Sequence, residues 1–513
     1  MKTVSNCMSE YSQLMRVKRL SIETGKLIAI LNEIDAKELG VFPLDRVKIT
    51  NPLLGKSIHC VVDVTNTFVK EDEIGLFEEV AKALNVKDIS RVSVCAAEMP
   101  KSVEFIKKKL DGKKLNEGEM REIVKDISLN RVSEIEIAAL VSSIYINGLD
   151  LDETVFMTKA LIENGRKLDF GNAMVVDKHS IGGTNGRTTM IVVPIIAAAG
   201  LMMPKTSSRS ITSAAGTADA MEVLAPVALK LEKIMEITRK AGAVIAWGGA
   251  VDLAPADDKI IKIEHPLSLD PEGQVIASVM AKKASVGSKF LIIDIPIGPF
   301  VKVKTREQGE SMAMKFIEVG KKIGIRVEVM ITNGNEPSGK AFGPSLEARY
   351  AMEVLEGKFF DNLAQKSCEL AGALLELCGA EKKMQGYAKA REILESGKAL
   401  EKMREIIRAQ GGTAKGSADV KLSDMKRTIY SKSSGEISGI NVKQCVNLAK
   451  IAGAPADKKA GIMLLVSQGD KVSEGQPILE IYAENKRKIE LAEEYAKNTA
   501  IMEMQKVVLE KFE

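Results

Sequence analysis

The chain has 513 residues, of which 45% are hydrophobic and 28% charged, a composition typical of folded globular proteins that excludes disorder over most of its length. Its 73 basic and 69 acidic side chains leave a net charge of only +4, so any site for an anion has to be local. The N-terminus lacks an apolar signal segment, and no run reaches the roughly 18 apolar residues of a membrane span. We therefore expect a cytoplasmic protein without membrane or nucleic-acid partners. Six scattered cysteines without a CxxC pair and only three histidines predict no metal site.

The first part of the chain predicts a β-rich domain followed by a helical one. Short apolar runs separated by Gly, Pro and Asn are typical of strands and turns, and they lie at 27–31, 46–50 and 59–64. From about residue 102 the apolar residues follow a helical period in four consecutive segments. We predict a β-rich domain at residues 1–90 and a helical domain at 91–169, with a later helical contribution near 255–285. No internal repeat is evident.

The remainder of the chain predicts an α/β domain and a second β-rich domain. After residue 169, apolar strands alternate with helices, which is the pattern of a largely parallel sheet. The predicted strands lie at 173–176, 244–247, 290–294 and 327–331. We place the α/β domain at 170–424 and the final β-rich domain at 425–513. The predicted fold class is therefore α/β with an additional helical domain and β-rich N- and C-terminal domains.

The first segment suited to chemistry follows the strand that we expect to end at Val176. It reads DKHSIGGTNGRTT over residues 177–189 and precedes an apolar helix. A glycine-rich turn lets backbone N–H groups approach an oxyanion, and the start of a helix adds a favourable dipole. Lys178, Ser180 and Thr189 can add charge and hydroxyl donors, so the segment is a candidate phosphate site. The alternative is a plain strand-to-helix turn, because glycine is the default turn residue.

The second segment is rich in hydroxyl groups. Six hydroxyl residues and one arginine fall within twelve positions from Lys205, and Ser207 stands among the first of them. An ordinary connection mixes Asn, Asp and Glu into its polar positions, so this composition indicates an anion site. The alternative is a capped helix start with Thr217 or Asp219 as the N-cap, a role that can coexist with binding.

These segments belong to four ordered motifs, which read DKHSIGG at 177–183, SSRSITSAAGTADAMEV at 207–223, LAPADD at 253–258 and ASVMAKK at 277–283. From about residue 103 onward the chain resembles the thymidine and pyrimidine-nucleoside phosphorylase family. The resemblance implies a pentosyltransferase, at least dimeric, with a cleft between the helical and α/β domains that closes over phosphate and substrate. It further implies that phosphate is held by Lys178, Ser180, Thr189, Ser207 and Thr217, and that Ser278 and Lys282 face the base.

Two differences from the thymidine phosphorylase pattern indicate which branch of the family the chain resembles. The family reads thymine with a Tyr and an Arg shortly before the Asp270 position, and residues 259–266 contain neither. The additional N-terminal domain and the words PKTSSRSITS, WGGAVDLAPADD and LSLDPEG resemble the archaeal branch that takes nucleoside 5′-monophosphates. By that resemblance, inorganic phosphate would cleave AMP, and also CMP and UMP, to the free base and ribose 1,5-bisphosphate in nucleotide catabolism. The residues expected to contact the nucleotide are Gly183, Ser208, Arg209, Ser210, Ile211, Thr212, Ser213, Thr217, Ser278 and Lys302.

The same resemblance makes Asp270 the proton donor. Phosphorolysis passes through an oxocarbenium-like transition state, and adenine departs more easily when a ring nitrogen is protonated. A carboxylic acid can give that proton when desolvation favours its neutral form. Phosphate is itself the nucleophile, so no metal or organic cofactor is required. The alternative for Asp270 is an N-cap ahead of Pro271, and His179 is explained equally well by catalysis or by orienting its loop.

Three other functions are compatible with parts of the sequence. GNEPSGKA at 334–341 nearly matches an NTPase P-loop, but Ala341 replaces the hydroxyl residue that binds Mg²⁺. A non-catalytic nucleotide-binding or assembly protein is suggested by the terminal β domains. We expect the C-terminal domain to mediate self-association, with the N-terminal domain as a second candidate. A nucleoside phosphorylase that forms ribose 1-phosphate is the alternative enzyme.

Overall fold

The computed structural model describes residues 11–182, 186–210 and 213–505. The chain forms two compact units, Met1–Asn164 with Pro255–Ala277 and Gly165–Ala254 with Ser278–Glu513. In these described ranges, no helix is both long enough and apolar enough to cross a membrane.

The first unit begins with a closed six-stranded barrel in the order β1-β5-β2-β4-β3-β6. The strands are β1 (Gln13–Leu20), β2 (Ile28–Asn32), β3 (Arg46–Asn51), β4 (Lys56–Thr65), β5 (Glu73–Phe77) and β6 (Arg91–Ala96), with helices α1 (Glu33–Leu39) and α2 (Glu78–Leu84). Alternate side chains such as Val47 and Ile49 of β3 and Val92 and Val94 of β6 fill the interior.

The barrel contains an internal repeat, so the prediction of no repeat was wrong. Helices α1 and α2 and strands β3 and β6 recur 45 residues apart, and the strand pairing follows the same shift. Both helices end at a residue with left-handed backbone, Gly40 (φ 68°) and Asn85 (φ 53°). Leu44 (φ 74°) and Ile89 (φ 62°), also 45 residues apart, repeat a second left-handed turn. The repeat is visible in the sequence over residues 33–47 and 78–92, where seven of fifteen positions are identical, but the strands before these segments share few residues.

The rest of the first unit is a helical bundle of α3 (Ser102–Leu110), α4 (Glu117–Ser128), α5 (Glu134–Asn147), α6 (Leu151–Glu163) and α10 (Pro255–Leu267). Capping boxes start α4 and α6, because the side chains of Asn116 and Asp150 accept an N–H from the residue three positions later. The ammonium of Lys259 on α10 donates to the Ile127 and Ser128 carbonyls at the end of α4, at 2.7 and 2.9 Å. This contact attaches the later helix to the bundle.

The second unit contains a parallel sheet formed by β7 (Val176–Ser180), β8 (Met203–Ser207), β9 (Ala243–Trp247), β10 (Phe290–Ile297) and β11 (Arg326–Asn333). Its order is β11-β10-β7, and a parallel bridge between Val175 and Met202 continues it into β8-β9. The strand order therefore reverses between β7 and β10. In open α/β sheets, ligands bind at such a switch point, beyond the carboxyl ends of the strands.

The helices that accompany this sheet are α7 (Gly186–Ala198), α8 (Thr217–Glu222), α9 (Leu231–Ala241), α11 (Glu272–Ser285), α12 (Arg306–Ile323), α13 (Pro344–Leu355), α14 (Asn362–Leu377), α15 (Gly386–Glu395) and α16 (Lys398–Ala409). The division between the two compact units falls within α11. Apolar faces of α7, α13, α14 and α16 enclose the largest core of the chain.

Two strand predictions need correction. β7 continues to Ser180 rather than ending at Val176, so Lys178 and Ser180 lie on a strand and not in the glycine-rich turn. Residues 203–207 form the buried strand β8, which is not among the strands predicted from the sequence. Propensity failed here because strand pairing and burial outweigh the polarity of Lys205 and its neighbours.

The last region, called here the C-terminal module, spans residues 425–505. It contains β13 (Lys426–Tyr430), β14 (Gly435–Ile440), β15 (Gly461–Leu464), β16 (Lys471–Val472), β17 (Pro477–Tyr482), β18 (Met502–Gln505), α17 (Val442–Ala452) and α18 (Lys486–Asn498). One of its sheets has the order β12-β15-β17-β13, in which β12 (Ala341–Phe342) comes from the α/β region. The core of the module likewise includes Phe342 and Ala214 from outside it.

Candidate functional site

The candidate site lies at the carboxyl ends of β7 and β10, where the strand order reverses. Lys178 and Ser180 are two positions apart on β7 and therefore share one face of the sheet. The Lys178 ammonium donates to Ser180 Oγ at 3.0 Å, and Ser180 Oγ donates to Asp294 Oδ2 at 2.8 Å. The switch point thus brings a buried cation, a hydroxyl and a carboxylate together.

Asp294 on β10 is held by two further groups. Lys366 of α14 approaches Asp294 Oδ2 at 3.1 Å, and Thr332 Oγ1 of β11 donates to Oδ1 at 2.5 Å. Asp294 is fully buried, and an isolated carboxylate there would carry a large desolvation cost. These partners compensate that cost and fix the carboxylate beside Ser180.

A second buried carboxylate, Asp177, lies one residue before Lys178. It is paired with two lysines, Lys205 of β8 at 3.0 Å and Lys283 of α11 at 2.7 Å. The Lys205 ammonium also donates to the Lys178 carbonyl at 2.6 Å. Asp177 therefore ties β7, β8 and α11 together directly beneath the candidate site.

Six charged side chains are buried in this region, four lysines and two aspartates. Lys178, Lys205, Lys283 and Lys366 lie beside the carboxylates of Asp177 and Asp294. Burial lowers the pKa of Lys178 to about 8, although Asp294 raises it, and burial also lowers the pKa of Lys283. A bound anion would stabilise the charged form of such buried lysines, so the region is suited to one.

His179 lies on the face of β7 that also carries Asp177, opposite to the face of Lys178 and Ser180. Burial lowers its pKa well below the usual value, and Lys283, Lys205, Lys178 and Lys282 lower it further. The imidazole is therefore neutral at physiological pH. A neutral ring can orient the loop or accept a hydrogen bond, but it is not a ready source of a proton.

The turn after β7 begins at Gly182, which has left-handed backbone (φ 73°). A Cβ placed on it would lie 2.8 Å from Lys302 Cγ, so the side chain of Lys302 covers this glycine. The structure thus brings together two residues that are far apart in sequence, both in segments expected to bind substrate. Gly183, the next predicted contact, lies outside the described residues.

The hydroxyl-rich segment is stabilised by hydrogen bonds among its own residues. Ser207 ends β8, and Asp219 of α8 accepts the N–H of Ser210 at 2.6 Å and the N–H of Gly216 at 2.9 Å. Ser213 Oγ donates to the Ala215 carbonyl at 2.9 Å, whereas Ser208 is exposed. Asp219 therefore holds both ends of the loop. The predicted contacts Ile211 and Thr212 lie outside the described residues.

Arg209 is engaged with other protein groups. Its guanidinium forms ion pairs with Asp219 at 3.1 Å and Glu222 at 2.5 Å and lies over the Trp247 ring, 4.9 Å from the centroid. These contacts commit most of its donors. A direct contact with nucleotide through the guanidinium is consequently less well supported than a contact through the neighbouring backbone.

The other predicted binding residues occupy helices. Thr189 is buried on α7, and Thr217 is the buried first residue of α8. Ser278 and Lys282 are half-buried and one helical turn apart on α11, so they share a face. Among the predicted residues, Lys178 and Ser180 are in direct contact, and Lys302 covers Gly182, two residues after Ser180.

Asp270 belongs to the first compact unit and is exposed. Helix α11 begins at Glu272, and the Pro271 carbonyl accepts the N–H of Val275 at 3.0 Å. Pro271 therefore occupies the N-cap position that the sequence alternative gave to Asp270. The desolvation expected around Asp270 is not present in the structure as described.

The segment that resembles a P-loop in sequence does not have the conformation of one. After Lys340 the chain enters β12 rather than a helix, so its backbone does not form the phosphate-binding helix start of an NTPase. The buried Arg187 donates to the carbonyls of Ser338, Gly339 and Ala341 and pairs with Glu347 at 3.6 Å. The carbonyl oxygens of this segment therefore point toward Arg187. A phosphate-binding loop would instead direct its backbone N–H groups at the anion.

Sequence reasoning did not assign Lys205, Lys283, Asp294 or Lys366 to the site. Asp294 could have been found, because a carboxylate within the apolar strand FLIIDIPI needs a partner. Lys205 lies in the stretch PKTSSRSITS and Lys283 in the motif ASVMAKK, but neither was given a role from the sequence. Lys366 carries no local signal, since only packing of α14 brings it to the site. Among the described residues, no group of three or more His, Cys, Asp or Glu is arranged to hold a metal.

Comparison with known proteins agrees with this architecture. Three family models match: the glycosyl transferase family helical bundle domain at residues 103–165, the glycosyl transferase family α/β domain at 172–400, and the pyrimidine nucleoside phosphorylase C-terminal domain at 437–503. Anthranilate phosphoribosyltransferase from Thermus thermophilus shares the fold, with a TM-score of 0.52 and 21% identity, over 60% of this chain and 98% of that one.

Full-length relatives are more similar. AMP phosphorylase 1 of Archaeoglobus fulgidus is 45% identical over 97% of this chain and 98% of its own. The AMP phosphorylases of Pyrococcus furiosus and Methanococcoides burtonii are 45% and 43% identical, each over 97% of this chain and 99% of their own. With this similarity over nearly the whole length of each protein, the chain belongs to the AMP phosphorylase family.

Proposed function

We propose that the chain catalyses the phosphorolysis of AMP, and of CMP and UMP, to the free base and ribose 1,5-bisphosphate. The observation that supports this most directly is the group of four buried lysines beside two aspartates at the switch point. The names of the relatives support AMP as the nucleotide. We further propose that the enzyme acts in the cytoplasm as a homodimer or larger homo-oligomer.

In the proposed mechanism, phosphate is the nucleophile and the protein positions it. Lys178 and Ser180, with Thr189, Ser207 and Thr217, hold the phosphate in the cleft proposed from the resemblance. A phosphate oxygen bonds to C1′ as the C1′–N bond breaks, and the bonding electrons leave with the base. Asp270 gives its proton to a base nitrogen, so that a neutral base departs. Ser278 and Lys282 are proposed to contact the nucleotide.

The purified enzyme is expected to release adenine from AMP only when phosphate is supplied. Chromatography of the bases and identification of the sugar product test this. Ribose 1,5-bisphosphate from AMP supports the proposal, whereas a preference for adenosine with ribose 1-phosphate as product would support the nucleoside phosphorylase alternative. EDTA should not reduce the rate, because the described site needs no divalent cation. Adenine release without phosphate would contradict the proposal.

The phosphate KM is expected to rise as the pH increases above about 8. Burial lowers the pKa of Lys178 to about 8, so the ammonium that attracts phosphate is lost as the pH increases through that value. Asp177, Asp294, Lys283 and Lys366 face Lys178 and determine where this transition falls. Initial rates at varied phosphate between about pH 8 and 9.5 measure it, because phosphate is mainly the dianion throughout that range. A phosphate KM that stays constant or falls over this range would contradict the role of Lys178.

Substitution of Gly182 by alanine is expected to lower kcat/KM for AMP about tenfold or more. A left-handed backbone costs a non-glycine residue roughly 1–2 kcal/mol, and here the new Cβ would also displace Lys302. Gly171→Ala is a matched control, because Gly171 also has positive φ (60°) but nothing within 4 Å of its Cβ position. Equal effects of the two substitutions on kcat/KM would show that Lys302 does not matter to the turn.

A further inference from the structure

The C-terminal module contacts the hydroxyl-rich segment through a chain of charged side chains. Lys458, in the connection before β15, pairs with Glu222 Oε2 at 2.9 Å. Both Glu222 oxygens in turn accept the Arg209 fork, at 2.9 and 2.5 Å. The chain Lys458, Glu222 and Arg209 therefore connects the module to the middle of the segment. The Lys458 backbone is itself fixed, because its carbonyl accepts the N–H of Ser345 at 3.0 Å.

Glu222 is the central residue of this chain. Its contact with Arg209 is bidentate, a geometry that specifies orientation as well as attraction. The hydrogen bonds from Arg209 lower the pKa of Glu222 to about 2, so the carboxylate remains ionised throughout the physiological range. The opposite face of Arg209 is covered by the Trp247 ring. Glu222 and Trp247 together fix the position of the guanidinium. Because Ser208 and Ser210 are the chain neighbours of Arg209, their backbone positions are restrained as well.

Apolar contacts connect the module to the same region independently of charge. Ala214, in the hydroxyl-rich segment, is buried in the core of the module. Phe300 packs against that core as well and lies two residues before Lys302. Both segments expected to contact the nucleotide therefore rest on the C-terminal module.

We propose that the C-terminal module positions the nucleotide-binding segment through Lys458 and Glu222, and that Glu222 is a positioning residue that sets nucleotide affinity. This inference rests on the proposed function. It assigns the module a role in substrate binding in addition to any part in self-association. Lys178 and Ser180 of the proposed phosphate site lie on β7, and Ser207 and Thr217 are anchored in β8 and α8. Phosphate use should therefore depend on the ion-pair chain less than AMP binding does.

The test compares Glu222→Gln and Lys458→Met with the wild-type enzyme. Glu222→Gln is expected to raise the KM for AMP about tenfold, the factor for one charge-assisted hydrogen bond, while kcat and the phosphate KM change less than about twofold. Lys458→Met breaks a half-exposed ion pair and should raise the KM for AMP roughly two- to fivefold. Because Lys458 acts through Glu222, the double variant should resemble Glu222→Gln alone.

Glu232→Gln is the matched control. It also removes one charge from an Arg–Glu pair of the second unit, with Arg166 at 3.2 Å, but has no described contact with the hydroxyl-rich segment. Its KM for AMP should equal that of the wild type. The inference is overturned if Glu222→Gln and Lys458→Met both keep the wild-type KM for AMP, or if the phosphate KM rises equally.

Calorimetric titration with AMP alone separates this inference from the proposed function. A wild-type enzyme that binds AMP but releases no adenine with phosphate would refute the proposed function. The same titration would still test the inference, because AMP should bind to Glu222→Gln about tenfold more weakly than to the wild type. A wild-type enzyme that binds no AMP overturns the inference as well.

Discussion

Substitution of Asp270 by asparagine is expected to lower AMP phosphorolysis about 10²–10⁴-fold, the usual contribution of general acid catalysis. Asparagine retains the size of aspartate but has no proton of suitable acidity to give. Stability should hardly change, because Asp270 is exposed and Pro271, not Asp270, occupies the N-cap position of α11. Single-turnover rates with AMP and thermal unfolding of both proteins measure the two expectations.

The control for Asp270→Asn is a second substrate with a better leaving group, rather than a second protein variant. A substrate whose base departs readily without protonation should lose much less activity in the variant, since the missing proton matters less. Near wild-type turnover of AMP would contradict the assignment of Asp270 as the acid. A large loss of melting temperature would instead indicate a structural role that the exposed position does not suggest.

Substitution of Lys178 by methionine is expected to reduce kcat/KM for phosphate by about 10²-fold or more, comparable to removal of a preorganised donor at other anion sites. Methionine preserves much of the volume of the buried side chain but removes its charge. Stability should be largely retained, because Lys178 donates to the neutral Ser180 hydroxyl rather than to a carboxylate, and Asp294 keeps its ion pair with Lys366. Phosphate kinetics and chemical denaturation test these statements together.

Lys283→Met provides the contrasting control. It removes one of the two lysines that pair with Asp177 and leaves that buried carboxylate with Lys205 alone. Because Lys283 donates directly to this carboxylate, its loss should lower the free energy of unfolding by about 1.5–3 kcal/mol, the value of a hydrogen bond to a charged group. If Lys178→Met proved equally destabilising, Lys178 would be a structural cation rather than a phosphate ligand.

The sequence predicted the parts of the fold that depend on local patterns. The four helices between residues 102 and 163 follow from the helical period and from capping residues such as Asn116 and Asp150. The parallel strands β9, β10 and β11 follow from short apolar runs. β8 was missed because its last residues are polar, and only pairing with β9 explains why they are extended.

The site was predictable only where its residues lie in recognisable motifs. Lys178 and Ser180 were selected from the glycine-rich motif, but the strand that carries them was placed too early. The full set of buried charges could not be predicted, because long-range packing brings Lys366 on α14 to Asp294 on β10. The contact between Gly182 and Lys302 likewise depends on how two distant loops meet.

The 45-residue shift in the N-terminal barrel has a consequence for its ancestry. Strand β1 pairs with β5 as β4 pairs with β2, and β2 and β5 also pair with each other around Ile30 and Gly75. Each half contributes equivalent strands to one closed barrel, so neither half encloses a core alone. The two halves are related as the subunits of an isologous dimer are. A short gene that encoded a homodimeric half-barrel, then doubled in tandem, would give this domain, with the sequence between the halves as the remnant of the fusion.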